Sequence, residues 1–336
     1  MTRKTSRGGM SNLLYRCSLL ETTEIQKNEP RDVLLRIYGP SYGNAEIQLE
    51  IFNLLAAEEL GPKLYGTFEE GRFEEYLVSS PLSWLEMTSE EVSSVVARKI
   101  AAIHKLEVQP LANGSDWLIE RYKEYNQFII GLRGIAPDFT PETLNSTKRI
   151  ASELLANRYQ QEIDYLSRLF VESKSPLVFS HNDLHQNNIL LLHHSLDTKC
   201  DLNNRIVLID FEYCSYNYRT FDLANHLSEW CFDYNGDDYP HFQVFPDRFP
   251  SEEKQKLFLS HYIDQICDTS RESAPYMIAN GKLNRTDKID RLFEEMQPFL
   301  MASNLLWALW AIKSACTSKI RFGYWVSCDQ ASSQTN

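Results

Sequence analysis

The stretch VFSHNDLHQNNILLL, Val178 to Leu192, constrains this chain more than any other. Two apolar runs flank a knot of His181, Asn182, Asp183, His185, Gln186, Asn187 and Asn188. Side chains of that polarity are costly to bury without partners, so the knot reads as a loop held between two hydrophobic anchors. Within it Asp183 and Asn188 stand five apart, and a later apolar run, IVLID, ends in Asp210, 22 residues beyond Asn188. Two carboxylates and an amide oxygen form a hard oxygen-donor set of the kind that suits Mg2+, which keeps waters and phosphate oxygens as its other ligands. The arrangement also fits the phosphoryl-transfer template: a loop aspartate that aligns or deprotonates a hydroxyl, with an asparagine five residues on and a strand-end aspartate on metal. Taken alone, Asp183 and Asn188 are equally what turn-capping residues look like. The second run, ending in IDFEY, separates the two readings. His181 and His185 are spaced i, i+4 but lack the HExxH pattern, so zinc is not expected.

The segments before the knot read as strands and one helix. NLLYRCSL and DVLLRIYG are short apolar-rich runs, and GPKLYGTFEEGRFEEYLV reads as two further strands with glycine-marked turns. Between them, Ile47, Ile51, Leu54 and Leu55 fall at i, i+4, i+7 and i+8, a helix stripe. After Pro81 the pattern turns helical. Thr88 and Glu91 have capping-box spacing ahead of the stripe Val92, Val95, Val96, Ile100 and Ile103. Further helices are expected over 116–133, 142–173 and 286–318, and 232–250 is expected to be irregular. His104 reads as a core or boundary histidine. A small β-rich lobe, residues 1–81, therefore precedes a larger helical lobe, residues 82–336, with a hinge at Glu75–Pro81, and ligand sites commonly lie between such lobes.

Composition excludes several classes. Of 336 residues, 43% are hydrophobic and 24% charged, which is ordinary for a globular protein. The formal net charge of -12 argues against nucleic acid or an anionic membrane as main partner. The 7 cysteines, Cys17, Cys200, Cys214, Cys231, Cys267, Cys316 and Cys328, contain no CxxC pair and read as reduced thiols of a cytoplasmic protein. MTRKTSRGGMSN has no apolar core and is not a secretory signal. No run of about 18 apolar residues is present, so no membrane span is expected.

FSHNDLHQNNILLL, LIDFEYCSYNYRTFDLANHLSEW and LWALWAIKSACTSKIRFGY, in this order, resemble the choline/ethanolamine kinase family, one of the protein-kinase-like small-molecule phosphotransferases. GGMSN, VLLRIYG and LGPKLYGTFEEGRFEEY match it too, so the resemblance runs from about Gly8 to Tyr324. The fold it implies is α+β, protein-kinase-like and bilobal. The reaction it implies is transfer of the γ-phosphoryl of MgATP to choline, giving phosphocholine for phosphatidylcholine synthesis.

The resemblance also assigns roles. Asp183 takes the substrate hydroxyl, and Asn188 and Asp210 take Mg2+. Gly8, Gly9, Ser11 and Asn12 match the loop over the ATP phosphates, where glycines let backbone N–H groups approach an anion. Arg36 matches an arginine that pairs with those phosphates, a role that suits a guanidinium. Glu75 and Leu77 match the adenine pocket. Choline has no N–H to donate, so aromatic faces and carboxylates must read it. Each cation–π contact gives roughly 0.5–2 kcal/mol and millimolar binding needs about 4 kcal/mol, so several rings are required. The implied cage is Glu212, Tyr213, Glu229, Tyr234, Trp307 and Trp310. IDFEY, NHLSEW and IRFGY favour choline over ethanolamine.

The chain departs from the family pattern at four points. It begins almost at the phosphate loop, where members usually carry further helices that often help form a dimer, which leaves a homodimer open. Gln48 falls near the helix glutamate that pairs with the nucleotide-binding basic residue, flanked by Glu46 and Glu50. His185 replaces a usual glutamine. Ser327 stands where a tyrosine is common, so the cage is expected to lack a wall. Two other readings stand beside choline kinase. A catalytically weak choline-binding relative is argued against by Asp183, Asn188 and Asp210. A kinase for an aminoglycoside or a sugar leaves the aromatic cage unexplained.

Overall fold

The computed structural model describes residues 2–5, 12–27, 29–39, 45–108, 116–132, 144–156, 158–193, 201–236, 238–267, 283–318, 320 and 322–327. Gly8, Gly9 and Ser11, part of the expected phosphate loop, lie outside them, as do Cys200 and Cys328. The chain forms two compact units, one up to Leu82 together with Asn188–Tyr213, the other Ser83–Asn187 together with the chain from Cys214 onward.

The first unit is built on strands β1 (Thr2–Thr5), β2 (Leu13–Ser18), β3 (Asp32–Ile37), β4 (Leu64–Phe68) and β5 (Gly71–Glu75), with helix α1 (Ala45–Ala57) between β3 and β4. They form an antiparallel sheet in the order β1-β2-β3-β5-β4. Gly71 starts β5 because a Cβ there would collide with the backbone carbonyl of Arg36 on β3. Helix α1 buries Ile51, Phe52 and Leu55. Phe52 thus joins the expected stripe, while Ile47 and Leu54 are only partly covered. Each fully buried side chain of this size contributes roughly 1.5–3 kcal/mol. Strand β6 (Ser79–Pro81) was not legible in the sequence.

The second unit opens with α2 (Trp84–Met87), α3 (Glu90–His104), α4 (Trp117–Gly131), α5 (Leu144–Ala156) and α6 (Tyr159–Ser173), followed by strand β7 (Leu177–Ser180). The N-cap of α3 is Ser89, whose hydroxyl accepts from Val92 N–H. Thr88, the expected cap, instead ends α2, and its hydroxyl donates to the Trp84 carbonyl at 3.0 Å. The reciprocal capping box sits one helix earlier, between Ser83 and Glu86.

The chain then returns to the first unit with β8 (Ile189–Leu192), α7 (Leu202–Arg205) and β9 (Ile206–Leu208), giving a second sheet in the order β6-β8-β9. It re-enters the second unit with β10 (Ser215–Tyr218), α8 (Arg219–Ser228), β11 (Phe232–Asp233), β12 (Gln243–Val244), α9 (Glu252–Cys267) and α10 (Arg285–Thr317). Strand β10 pairs antiparallel with β7, and β11 with β12, so 232–250 is more ordered than its composition implies. Helix α9 was not assigned from the sequence, although Phe258, Leu259, Tyr262, Ile263 and Ile266 form a buried stripe.

Helix α10 packs on α4, α6, α8 and α9. Its Leu292, Met296, Phe299, Leu306, Leu309 and Ile312 are buried, and Glu295 forms a buried ion pair with Arg219 of α8. By length and composition α10 is apolar enough to cross a membrane, but half of its most apolar window is covered by the protein itself.

Candidate active site

Strand β7 delivers the chain to the polar knot, buried from Val178 to Ser180. His181 and Asn182 are buried and so is Leu184, whereas Asp183 and His185 keep 18% and 23% of their side chains exposed. What permits that burial is Asp222 of α8. Its carboxylate accepts the backbone N–H of His181 at 2.7 Å and of Asn182 at 2.6 Å. His104 of α3 holds the same carboxylate through Nε2 at 3.2 Å, and its Nδ1 meets the Tyr262 hydroxyl of α9 at 2.9 Å. Burial pushes the Asp222 carboxyl upward, but hydrogen bonding and charge from His104 and His181 hold it below the usual range. His104 is therefore a core histidine, as expected.

The loop is pinned at two more points. Asn182, at a φ of 68°, accepts at Oδ1 from Asn217 Nδ2 at 2.8 Å. His226 meets the Leu184 carbonyl through Nδ1 at 3.2 Å and accepts from Trp230 Nε1 at 3.4 Å, which puts its proton on Nδ1. Burial lowers His226 to about 4, so it is neutral near pH 7. Asp183, between buried Asn182 and Leu184, keeps part of its side chain exposed.

Beside it lies part of the expected cage. The Tyr234 hydroxyl donates to Glu229 Oε2 at 2.9 Å. The Tyr234 ring meets His185 edge-on, centroids 5.5 Å apart, and His185 Nε2 is 3.7 Å from Asp183 Oδ2. Burial raises the Glu229 carboxyl to about 7, against the lowering effect of the Tyr234 hydrogen bond. Trp307 and Trp310, at i, i+3 on α10, meet at right angles 5.7 Å apart. Asn225 of α8 fixes the first of them, its Oδ1 accepting from Trp307 Nε1 at 2.6 Å and from Ser303 Oγ at 2.8 Å.

The two pairs are joined by rings that the sequence did not single out. Trp310 packs on Tyr324, Tyr324 on Phe322, and Phe322 on Phe242, with centroids 5.7, 5.0 and 5.2 Å apart. Phe242 belongs to a cluster with Cys231 and Phe232, against which Tyr234 packs. Gly323 makes this possible, because a Cβ there would strike Pro240, whose carbonyl accepts the Gly323 N–H at 3.1 Å. Tyr324 is itself buried, its ring edge-on to Trp310.

The first unit carries the remaining expected residues. Ile209 N–H donates to the Asn188 carbonyl at 3.0 Å, extending the β8–β9 pairing and bringing Asn188 beside the residue before Asp210. Asp210 has a φ of 64°, a left-handed conformation uncommon outside glycine. One hard amide oxygen and one hard carboxylate, carried on adjacent paired backbone, are a donor pair that fits Mg2+. Glu212 and Tyr213 follow on a 3-10 turn, Phe211–Tyr213.

Arg36 points to the same ground, its Nη1 being 4.0 Å from Asp210 Oδ1. Strand geometry explains its main partner. Arg72 and Glu74 are two apart on β5 and share a face, and Arg36 lies opposite Arg72 in register. Glu74 Oε1 thereby accepts from Arg36 Nε at 2.6 Å and from Arg72 Nε at 2.7 Å. Burial of Glu74 would raise its carboxyl, yet the two guanidiniums hold it below the usual range. A strand glutamate thus partners the expected phosphate-binding arginine. Gln48 of α1 does something else, donating to the Glu212 carbonyl at 3.0 Å. Asn12 is buried and its Oδ1 accepts from Gly39 N–H at 3.2 Å. Glu75 ends β5, its Oε2 accepting from Lys63 N–H at 3.2 Å, and the Leu77 carbonyl accepts from the Ser79 hydroxyl at the same distance.

Comparison with known proteins decides the family. The family model for choline/ethanolamine kinase matches residues 4–334. The chain belongs to the choline/ethanolamine kinase family. It is 34% identical over 320 residues to a human choline/ethanolamine kinase, covering 94% of this chain and 75% of that one. It is likewise 34% identical over 340 residues to choline kinase A2 of Caenorhabditis elegans, covering 95% and 75%. Among solved structures, a choline kinase from Cryptosporidium parvum superposes with a TM-score of 0.73 at 23% identity, covering 99% of this chain and 87% of that one. An ethanolamine kinase from Plasmodium vivax gives 0.72 at 21%, covering 99% and 81%. These two likenesses bear on fold, and the fold is the α+β, protein-kinase-like one expected. Membership makes the chain a kinase-type phosphotransferase and a user of ATP.

Proposed function

We propose that the protein is a choline kinase, transferring the γ-phosphoryl of ATP to the choline hydroxyl to give phosphocholine and ADP. The observation that carries this is the Asp183 loop: a partly exposed carboxylate on a backbone fixed by Asp222, in a chain of this family. In the reaction Asp183 accepts a hydrogen bond from the substrate hydroxyl and aligns its oxygen for in-line attack. Arg36, held by Glu74, pairs with phosphate oxygens. Asn12, with Gly8, Gly9 and Ser11, contacts the ATP phosphates, and Glu75 and Leu77 flank the adenine. Asn188 and Asp210 would hold Mg2+, which would supply charge neutralisation at the phosphates.

Glu229, Tyr234, Trp307 and Trp310, with Glu212 and Tyr213, bind the trimethylammonium group by ring faces and carboxylate charge. Choline is favoured over ethanolamine because several ring faces suit a cation that has no N–H to donate. A cytoplasmic location agrees with the described cysteines, Cys17, Cys214, Cys231, Cys267 and Cys316, which form no disulfide with one another.

The test is ADP release with MgATP and choline, ethanolamine or no acceptor, with Asp183→Ala as control. Choline-dependent turnover lost in the variant supports the reading. Faster turnover with ethanolamine reassigns the substrate, and folded wild-type protein that matches the variant refutes the kinase.

A further inference from the structure

His185 sits two residues beyond Asp183, and its surroundings fix which of its nitrogens carries the proton. The backbone N–H of Asn187 donates to His185 Nδ1 at 3.3 Å, so that nitrogen offers its lone pair. The proton of the neutral ring is therefore on Nε2, the atom 3.7 Å from Asp183 Oδ2. The ring is held from its other side by Tyr234, which Glu229 in turn anchors through the tyrosine hydroxyl. Asp183 is fixed along its backbone, its N–H donating to His181 Nδ1 at 3.3 Å. Catalytic hydrogen bonds are commonly this long before substrate binds and shorten in the loaded enzyme.

We propose that His185 is a positioning residue for phosphoryl transfer: its Nε2–H donates to the Asp183 carboxylate and holds the other carboxylate oxygen toward the acceptor hydroxyl. The inference rests on the kinase reading for its catalytic consequence, but the contact itself does not. Burial, together with neighbouring His181, pushes the imidazole well below its ordinary range, which suits a donor and not a proton acceptor. Because the same ring abuts Tyr234, an acceptor lodged against Tyr234 also steadies the imidazole. Site filling and base orientation are coupled through one side chain.

Two measurements test it. Nitrogen-15 NMR of histidine-labelled protein reads the tautomer and the Nε2 environment directly. The expected result is an Nε2–H tautomer for His185, with its Nε2 resonance moved by Asp183→Asn. A protonated Nδ1, or a signal that D183N leaves in place, overturns the proposal whatever the enzyme does. In the ADP-release assay, His185→Phe keeps a planar ring against Tyr234 but loses the donor. Its kcat is expected to fall on the order of tenfold, with KM for choline nearly unchanged. His185→Gln, which returns an N–H to the site, is expected to regain most of that loss. A drop confined to KM, or equal losses in H185F and H185Q with both variants folded, assigns the ring to packing and overturns the positioning role. Wild-type protein without acceptor-dependent turnover would sink the kinase reading, and the NMR result would still judge the contact.

Discussion

Glu229 offers the most quantitative check on the site. It is 8% exposed, and burial lifts its carboxyl from an ordinary 4.5 to about 7. Below pH 4.5 the group is protonated in folded and unfolded chains alike. As pH rises from there to 7, the unfolded chain ionises first while the native state retains its proton, so stability falls; above 7 the loss is complete. An elevation of this size corresponds to about 3 kcal/mol. Glu229→Gln removes the titration while its amide oxygen can still accept from Tyr234. Urea unfolding of both proteins from pH 5 to 8 should therefore show the variant gaining about 2 to 3 kcal/mol on the wild type across that range. The wild-type curve alone would mislead. Buried His226, lowered to about 4, acts in the opposite direction, its stabilising effect being lost as pH falls below the ordinary histidine range. Taking the difference between the two proteins cancels it. A cation beside an ionised Glu229 offsets the cost, so choline should stabilise the wild type more at pH 8 than at pH 6, and Glu229→Gln should erase that contrast. A wild-type-minus-variant difference that stays flat within about 0.5 kcal/mol between pH 5 and 8 would refute the argument.

Other consequences follow from the same contacts. Asp222→Asn places an amide donor against backbone N–H groups that now have a carboxylate; a loss of about 2–4 kcal/mol in urea unfolding is expected, together with a fall in kcat of at least about tenfold. Unchanged kcat in folded D222N protein would mean that the Asp183 loop does not depend on this scaffold. Glu74→Gln leaves two buried guanidiniums sharing one amide oxygen, which should cost about 3–5 kcal/mol and raise KM for ATP while leaving KM for choline alone. Asn225→Leu removes the acceptor shared by Trp307 and Ser303. Choline titrated against tryptophan fluorescence should then bind severalfold more weakly, with KM for ATP unchanged; equal affinity would show that the Trp307 orientation does not matter.

Local chemistry was legible where a residue's role is set by near neighbours in sequence. The β2–β5 strands follow from short apolar-rich runs and glycine-marked turns, and α1 from a stripe of period 3.6, none of which needs knowledge of the fold. The polar knot could be read as an anchored loop because both of its anchors lie within 15 residues, Val178 to Leu192. Asp222 could not be read this way. It lies 40 and 41 residues from the N–H groups it holds, and 118 from His104. Its sequence setting, FDLAN, is that of any amphipathic helix with one polar face. Only once every residue of α8 is known to be buried does a carboxylate there demand partners.

Glu74 is the converse case. It is one of four glutamates among residues 69–75, and strand alternation alone puts it on the same face as Arg72. What singles it out is the β3–β5 register that sets Arg36 opposite Arg72, and register depends on pairing rather than on composition. The loop's chemistry was thus visible in a short quotation of the sequence, while Asp222, which holds the loop, and Glu74, which holds Arg36, became visible only through distant pairing. A search for residues that set the rate of this kinase should therefore look first to Asp222 and Glu74, which hold the Asp183 loop and Arg36 from 38 or more residues away.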